Sequence, residues 1–163
     1  MREVFDSLPH TKINEPLAHH IKYLVDTCFI YYIFEKHEKE FIEFCKHNSV
    51  GFTSFNVEET LFHSHDVGSH FKIRFRHAIK AGLFLNVVDV DVKPGNPYAE
   101  KIFVQSLDAR LINLIPDPSD AVLAAVAKSI SANILTRDKH HLFTQALSNY
   151  FGESGLQVLN KLP

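Results

Sequence analysis

Four carboxylates stand at or beside the ends of apolar segments that lie far apart in the chain. They are Asp26 in KYLVDT, Glu59 in FTSFNVEETL, Asp120 in SDAVLAAVA and Asp138 in NILTRD. Apolar segments of this kind form buried strands and core helices, where an ionised carboxylate is costly unless a counter-charge neutralises it. Four carboxylates in one cleft would repel each other strongly, and a cation that prefers oxygen ligands, Mg²⁺ or Mn²⁺, is the usual remedy.

The elements that must position these acids alternate along the chain. Apolar runs predict strands at 22–26, 50–53, 83–92, 133–136 and 156–159. Helical periodicity and capping residues predict helices at 27–46, 56–62, 70–81, 98–114, 120–131 and 140–149, with Asn56 and Ser119 as two of the caps. Such alternation favours a mainly parallel sheet, in which ligands bind beyond the carboxyl ends of the strands. We therefore predict an α/β three-layer sandwich with all four acids at one rim.

Length and composition limit the class of protein. The chain has 163 residues with 45% hydrophobic content and 14 Phe, enough for one sizeable core. Residues 1–20 are polar and are interpreted as an N-terminal extension, and 21–163 as a single domain. No apolar run approaches the roughly 20 residues that cross a membrane, and no secretory signal is evident. Cys28 and Cys45 are interpreted as free thiols, so we expect a cytoplasmic protein.

The charge distribution argues against a strongly basic nucleic-acid binder. The net charge is −2, whereas domains whose affinity comes from phosphate contacts are usually basic. Residues 70–80 (HFKIRFRHAIK) are locally basic. We interpret them as a solvated helix face, with contact to an RNA backbone as the alternative.

The four motifs, in this order, resemble the PIN-domain family of metal-dependent nucleases over most of residues 21–145. The matching segments are LVDT at 24–27, TSFNVEE at 53–59, DAVLAAVA at 120–127 and TRDK at 136–139. The resemblance implies that Asp26, Glu59, Asp120 and Asp138 hold one or two Mg²⁺ or Mn²⁺ ions and hydrolyse phosphodiester bonds in RNA. It also implies two candidate partners: an antitoxin, if the chain is a VapC-like toxin, and a second copy of itself in a homodimer.

Several residues around the acids are left open by the sequence. Glu58 and Glu59 are neighbours, and the spacing of the family motif favours Glu59 for the site. Many family members carry Asn where this chain has Cys28, and Asp117 is a candidate outer acid. Further candidates for contacts to the carboxylates or to the substrate are Thr27, Asn56, Thr136 and Arg137.

Other functions are weaker interpretations of the same chain. A zinc site at His63, His65, Asp66 and His70 is disfavoured, because residues two apart on a helix face different directions. The pair His140-His141 borders the cleft, where a phosphate contact is a minority interpretation. A haloacid-type phosphatase would need a second Asp two residues after Asp26. This chain has Cys28 there, so that interpretation fails. The alternative of another class is a non-catalytic PIN-like module that binds RNA or acts as a scaffold.

Overall fold

A sheet of six parallel strands organises the chain in a computed structural model, which describes residues 1–63 and 69–163. The strands are β1 (His10–Lys12), β2 (Tyr23–Val25), β3 (Val50–Thr53), β4 (Asn86–Asp89), β5 (Asn133–Leu135) and β6 (Val158–Leu159). Their order across the sheet is β1-β4-β3-β2-β5-β6, and every neighbouring pair is parallel. The predicted α/β fold with a mainly parallel sheet is confirmed.

Helices connect the strands and cover both faces of the sheet. They are α1 (Arg2–Asp6), α2 (Thr27–Lys36), α3 (Glu38–His47), α4 (Ser54–His63), α5 (Ser69–Lys80), α6 (Pro97–Asp108), α7 (Leu111–Leu114), α8 (Pro118–Ile130) and α9 (Gln145–Gly152). A 3₁₀ turn covers Ala18–His20. Among the described residues, no helix is long and apolar enough to cross a membrane.

The predicted single helix over 27–46 is wrong, because His37 separates α2 from α3. The backbone of His37 lies outside the helical region, at φ −141° and ψ 35°. The apolar stripe continues across this break, and the rings of Phe34 and Phe41 pack edge to face with centroids 6.0 Å apart. Sequence periodicity alone therefore did not reveal the interruption. The long helix predicted over 98–114 is likewise divided into α6 and α7.

The first twenty residues contribute an unpredicted strand to the sheet. β1 pairs with β4, with His10 opposite Val87 and Lys12 opposite Asp89. Only Thr11 of its three residues is buried, because β1 is an edge strand. A strand this short and polar has no hydrophobic alternation that the sequence could show.

Two separate hydrophobic cores confirm the three-layer arrangement. Successive side chains of a strand point to opposite faces. Leu24 accordingly packs with the core that contains α8, whereas Val25 packs with the core that contains α2, α3 and α5. Ile134 and Leu135 divide between the cores in the same way. Strands buried on both faces have the continuous apolar runs that predicted them.

The strand order reverses direction at β2, which lies between β3 and β5. The chain proceeds from β2 to β3 on one side, whereas β5 and β6 are added on the other side. In open α/β sheets, such a reversal creates a crevice at the carboxyl ends of the two strands, where ligands bind. The crevice between β2 and β5 is therefore the first place to examine for a functional site.

Candidate metal centre

Asp26 lies at the base of this crevice, directly after β2. Its side chain is 8% exposed. Oδ2 accepts hydrogen bonds from Thr136 Oγ1 at 2.7 Å and from Cys28 Sγ at 2.8 Å. Burial raises the pKa of Asp26, and these two donors oppose the rise. The thiol of Cys28 thus supplies a donor at the position where many PIN-domain proteins carry Asn.

Glu59, on α4, is held by one donor from its own helix and by two donors from other parts of the chain. Oε2 accepts from Asn56 Nδ2 at 3.1 Å and from Thr27 Oγ1 at 3.2 Å. Oε1 accepts from Ser119 Oγ at 2.9 Å. Burial raises the pKa of Glu59, and the charge of Asp26 adds to the rise. Two of the predicted supporting residues, Thr27 and Asn56, therefore contact a predicted site carboxylate.

The caps of α4 and α8 differ from the predicted caps. The backbone N–H of Asn56 donates to Thr53 Oγ1 at 3.0 Å, so Thr53 caps α4 and Asn56 lies inside its first turn. Asp117 caps α8 by accepting from the backbone N–H of Ser119 at 3.0 Å. Each helix begins earlier than the sequence indicated. The side chains of Asn56 and Ser119 are therefore available to bind Glu59.

Glu58, the neighbour of Glu59, forms an ion pair with Arg2 of α1. Both carboxylate oxygens of Glu58 accept from the guanidinium of Arg2, at 2.7 and 2.9 Å. Adjacent residues on a helix differ by about 100° in direction. Of the two adjacent acids, Glu59 makes the contacts with residues around the crevice, and Glu58 pairs with α1.

Asp120 lies in the first turn of α8 and contacts a histidine from beyond β5. Its Oδ2 is 2.6 Å from Nδ1 of His141. Burial raises the pKa of Asp120 to about 6, the bond from His141 opposes the rise, and the charges of Asp117, Asp138 and Asp26 add to it. Asp120 therefore takes up a proton far more readily than an ordinary aspartate.

Asp138 completes the group from the loop after β5. Its backbone N–H donates to Thr136 Oγ1 at 3.0 Å. Its Oδ1 accepts from the backbone N–H groups of His140 and His141, at 2.8 and 3.3 Å. Its Oδ2 lies 3.7 Å from Nδ1 of His141. The imidazole of His141 therefore lies between Asp120 and Asp138.

The four predicted acids form one electrostatic group. The charge of Asp138 raises the pKa of Asp26, and the charge of Asp26 raises the pKa of both Glu59 and Asp120. None of the four forms an ion pair with a lysine or arginine in the described part of the chain. Their repulsion is offset locally by hydroxyl, thiol and amide donors and by His141.

The guanidinium of Arg137 is engaged outside this group of acids. The guanidinium of Arg137 lies 4.3 Å above the ring of Tyr32, and its Nη1 donates to the carbonyl of Asn160 at 3.0 Å. Arg137 approaches the site only through its backbone N–H, which donates to Cys28 Sγ at 3.2 Å. The zinc interpretation involves His65, Asp66 and the side chain of His63, which lie outside the described residues.

The donor set fits a divalent cation. Asp117, Asp120 and His141 each offer one ligand atom, and these atoms lie within 4.8 Å of one another. Asp26 and Glu59 lie outside this group of three; burial is the main cause of their raised pKa values, and a neighbouring acidic charge adds to each rise. Carboxylate oxygens suit Mg²⁺ and Mn²⁺, and an imidazole suits the softer divalent metals. The sequence predicts Asp117 only as an outer acid and His141 only as a residue at the border of the cleft, since nothing local shows that they approach Asp120.

Comparison with known proteins identifies the fold. No protein-family model and no curated protein matches the sequence. The chain is similar to a chain in the crystal structure of VapBC2 from Rickettsia felis bound to a DNA fragment from their promoter. The TM-score is 0.51 at 18% identity, and the match covers 72% of this chain and 89% of that chain. With the six-stranded parallel sheet, this likeness shows that the chain has a PIN-like fold.

Proposed function

We propose that this chain is an endoribonuclease that uses Mg²⁺ or Mn²⁺ to hydrolyse phosphodiester bonds. One observation carries the proposal: Asp26, Glu59, Asp120 and Asp138 come from four separate segments and act on each other electrostatically around one crevice. A structural role does not need four carboxylates whose mutual repulsion opposes folding. A metal-dependent nuclease does, because the carboxylates hold the ion that offsets charge on the phosphate.

In this proposal, the chain's own side chains orient the metal-binding oxygens. Thr136 and Cys28 hold Asp26, while Ser119, Thr27 and Asn56 hold Glu59. Such hydrogen bonds restrict the rotamers of ligand carboxylates and so prepare the site for the ion. A bound ion would supply Lewis-acid chemistry, which lowers the pKa of a water molecule.

RNA as substrate, and the partners, rest on the resemblance to PIN-domain nucleases and on the likeness to a chain of VapBC2. As the resemblance to VapC-like toxins implies, the chain acts as a toxin whose cleft a small antitoxin blocks. A homodimer is the accompanying expectation. Both partners are tested by co-purification with the product of an adjacent gene and by measuring the mass of the purified protein in solution.

The test is cleavage of a mixed single-stranded and structured RNA pool by the purified protein in EDTA, Mg²⁺ or Mn²⁺. Asp120→Asn removes one proposed ligand charge. Glu35→Gln is the matched control, because this carboxylate is exposed near the C-terminal end of α2. We expect metal-dependent cuts from the wild type and from Glu35→Gln only. Equal cutting by Asp120→Asn would contradict the assignment of the site.

A non-catalytic RNA-binding or scaffold module is the second candidate, and one contact favours it. His141 lies between Asp120 and Asp138, so the acids already have a counter-charge when the imidazole is protonated. The two candidates differ in how Mn²⁺ affects thermal unfolding. A nuclease that binds Mn²⁺ in the native state melts at a higher temperature when the ion is added. A module whose acids are satisfied by His141 shows no such rise.

A further inference from the structure

A pocket lies next to the acids and shares Glu59 with the proposed metal centre. It has a volume of about 420 Å³, and its lining includes Phe62, Lys93 and Pro94. Glu59 and Ser119, which are hydrogen-bonded to each other, also line it. The volume falls within the roughly 300–1,000 Å³ of pockets that bind small organic groups. A molecule in this pocket would therefore contact the same Glu59 that faces the metal centre.

Phe62 is the unusual residue of this pocket. It lies three residues after Glu59 on α4, so both side chains lie on neighbouring parts of one helix face. Its side chain is 78% exposed, although most of the other phenylalanines in the described chain are buried. An exposed aromatic face beside a phosphodiester-cleaving site is suited to stacking with an unpaired base.

Lys93 is the cationic residue that lines the pocket, beside the carboxylates of Glu58 and Glu59. Lys93 is exposed, and its charge lowers the pKa of Glu58 less than the hydrogen bond from Arg2 does. Glu58 also pairs with the guanidinium of Arg2, and Glu59 belongs to the proposed metal centre, so Lys93 is the side chain of the lining that can attract a phosphate. A cation next to an aromatic ring is the combination by which proteins bind single-stranded nucleic acid.

We propose that this pocket is a subsite for one unpaired nucleobase of single-stranded RNA, adjacent to the phosphodiester bond held at the acids. The base stacks on Phe62, and Lys93 contacts a neighbouring phosphate. The proposal deepens the nuclease function and rests on it for the position of the scissile bond. It requires a single strand, because a base inside a duplex cannot present its face to a side chain.

The first test measures binding without cleavage. All variants carry Asp120→Asn, and the probe is a short fluorescein-labelled single-stranded RNA pool in Mg²⁺, followed by anisotropy. Phe62→Ala should weaken binding roughly ten-fold, the loss typical of one stacked base, and Phe62→Trp should retain it. The matched control is Phe84→Ala, since Phe84 is 59% exposed. Phe84 precedes β4 and so lies towards the opposite end of the sheet.

The second test separates phosphate contact from stacking. Lys93→Ala should reduce the slope of log affinity against log salt by about 0.7, the value for one phosphate contact on a single strand. Lys22→Ala is its control, because Lys22 is exposed and precedes β2, at the amino ends of the strands and opposite to the acids. An unchanged salt slope for Lys93→Ala would refute the contact between Lys93 and a phosphate.

Cleavage assays on chains with intact Asp120 distinguish failure of the subsite from failure of the nuclease. If RNA is cut with the same KM by the wild type, Phe62→Ala and Phe84→Ala, the subsite is refuted and the nuclease remains. If RNA binding depends on Phe62 but no metal supports cutting, the nuclease is refuted and the subsite remains. If Phe62→Ala changes only the oligomeric mass, the ring belongs to a protein interface and the subsite is refuted.

Discussion

Replacing Asp120 by Asn should stabilise the metal-free protein although it removes activity. The Asp120 side chain is surrounded by the charges of Asp117, Asp138 and Asp26, and burial adds to their effect. Asn has nearly the same shape and carries no charge. Its carbonyl oxygen can still accept a hydrogen bond from Nδ1 of His141, which lies 2.6 Å from Asp120 Oδ2. The substitution therefore removes repulsion without creating a cavity.

The raised pKa of Asp120 sets the size and the sign of the stability change that we expect for Asp120→Asn. The pKa is about 6 in the folded chain against an ordinary value of 3.8. At about 1.4 kcal/mol per pKa unit, this difference corresponds to roughly 3 kcal/mol of lost stability when the group is ionised. The Asp120 side chain is 30% exposed, so solvent screening reduces the expected gain for Asp120→Asn to about 1–2 kcal/mol.

The pH dependence follows from the same values. Between pH 3.8 and about pH 6 the folded chain binds the Asp120 proton more tightly than the unfolded chain does. Wild-type stability therefore falls as pH rises through this window, and the penalty is complete above it. Asp120→Asn has no such penalty. The stability difference between the two proteins should be near zero below pH 3.8 and largest above about pH 6.

The assay is urea unfolding of both proteins in EDTA across this pH range, repeated with Mn²⁺. In Mn²⁺ the order should reverse, because an ion at about 100 times its Kd stabilises the wild type by about 2.7 kcal/mol. Glu35→Gln controls for changes in net charge, since its carboxylate is 69% exposed. The reasoning is refuted if Asp120→Asn is less stable than the wild type in EDTA at neutral pH. A stability difference that does not vary with pH would refute it as well.

Three further predictions test individual contacts. Glu59→Gln should abolish RNA cleavage, whereas Glu58→Gln should retain it because Glu58 pairs with Arg2. Equal loss of cleavage by the two variants would contradict this prediction. Thr136→Val leaves the buried Asp26 without its 2.7 Å hydrogen-bond donor. The free energy of unfolding in urea should fall by about 1–3 kcal/mol, and an unchanged unfolding midpoint would argue against that bond. His141→Ala should weaken Mn²⁺ binding by a larger factor than Mg²⁺ binding, since Mg²⁺ prefers oxygen ligands; equal losses by calorimetry would exclude the imidazole as a ligand.

Local signals explain why much of the fold was predictable. Asp26 follows an apolar run whose last two residues are fully buried, and Asp120 lies in the first turn of an Ala-rich helix whose next seven residues are all buried. Burial of that kind leaves a direct pattern in the sequence. The break at His37 and the edge strand at His10–Lys12 leave none. A helix end without Gly or Pro, and a strand with one buried residue, have no periodicity to detect.

The cap residues show a second reason for error. Asn56 and Ser119 are typical caps by residue type, yet Thr53 and Asp117 have that role. Residue preference cannot locate a cap when several good candidates are adjacent. The error matters for the site, because both misassigned side chains hold Glu59 instead.

By itself, the sequence determined which residues could form the site and at which edge of the sheet they lie. Strand ends and helix starts follow from short-range patterns, and parallel order places them together. Only the tertiary structure decided that Glu58 turns towards Arg2 and that His141 lies between Asp120 and Asp138. These choices depend on side chains brought together from distant segments. Their energies come from burial and charge in three dimensions, which no local pattern records.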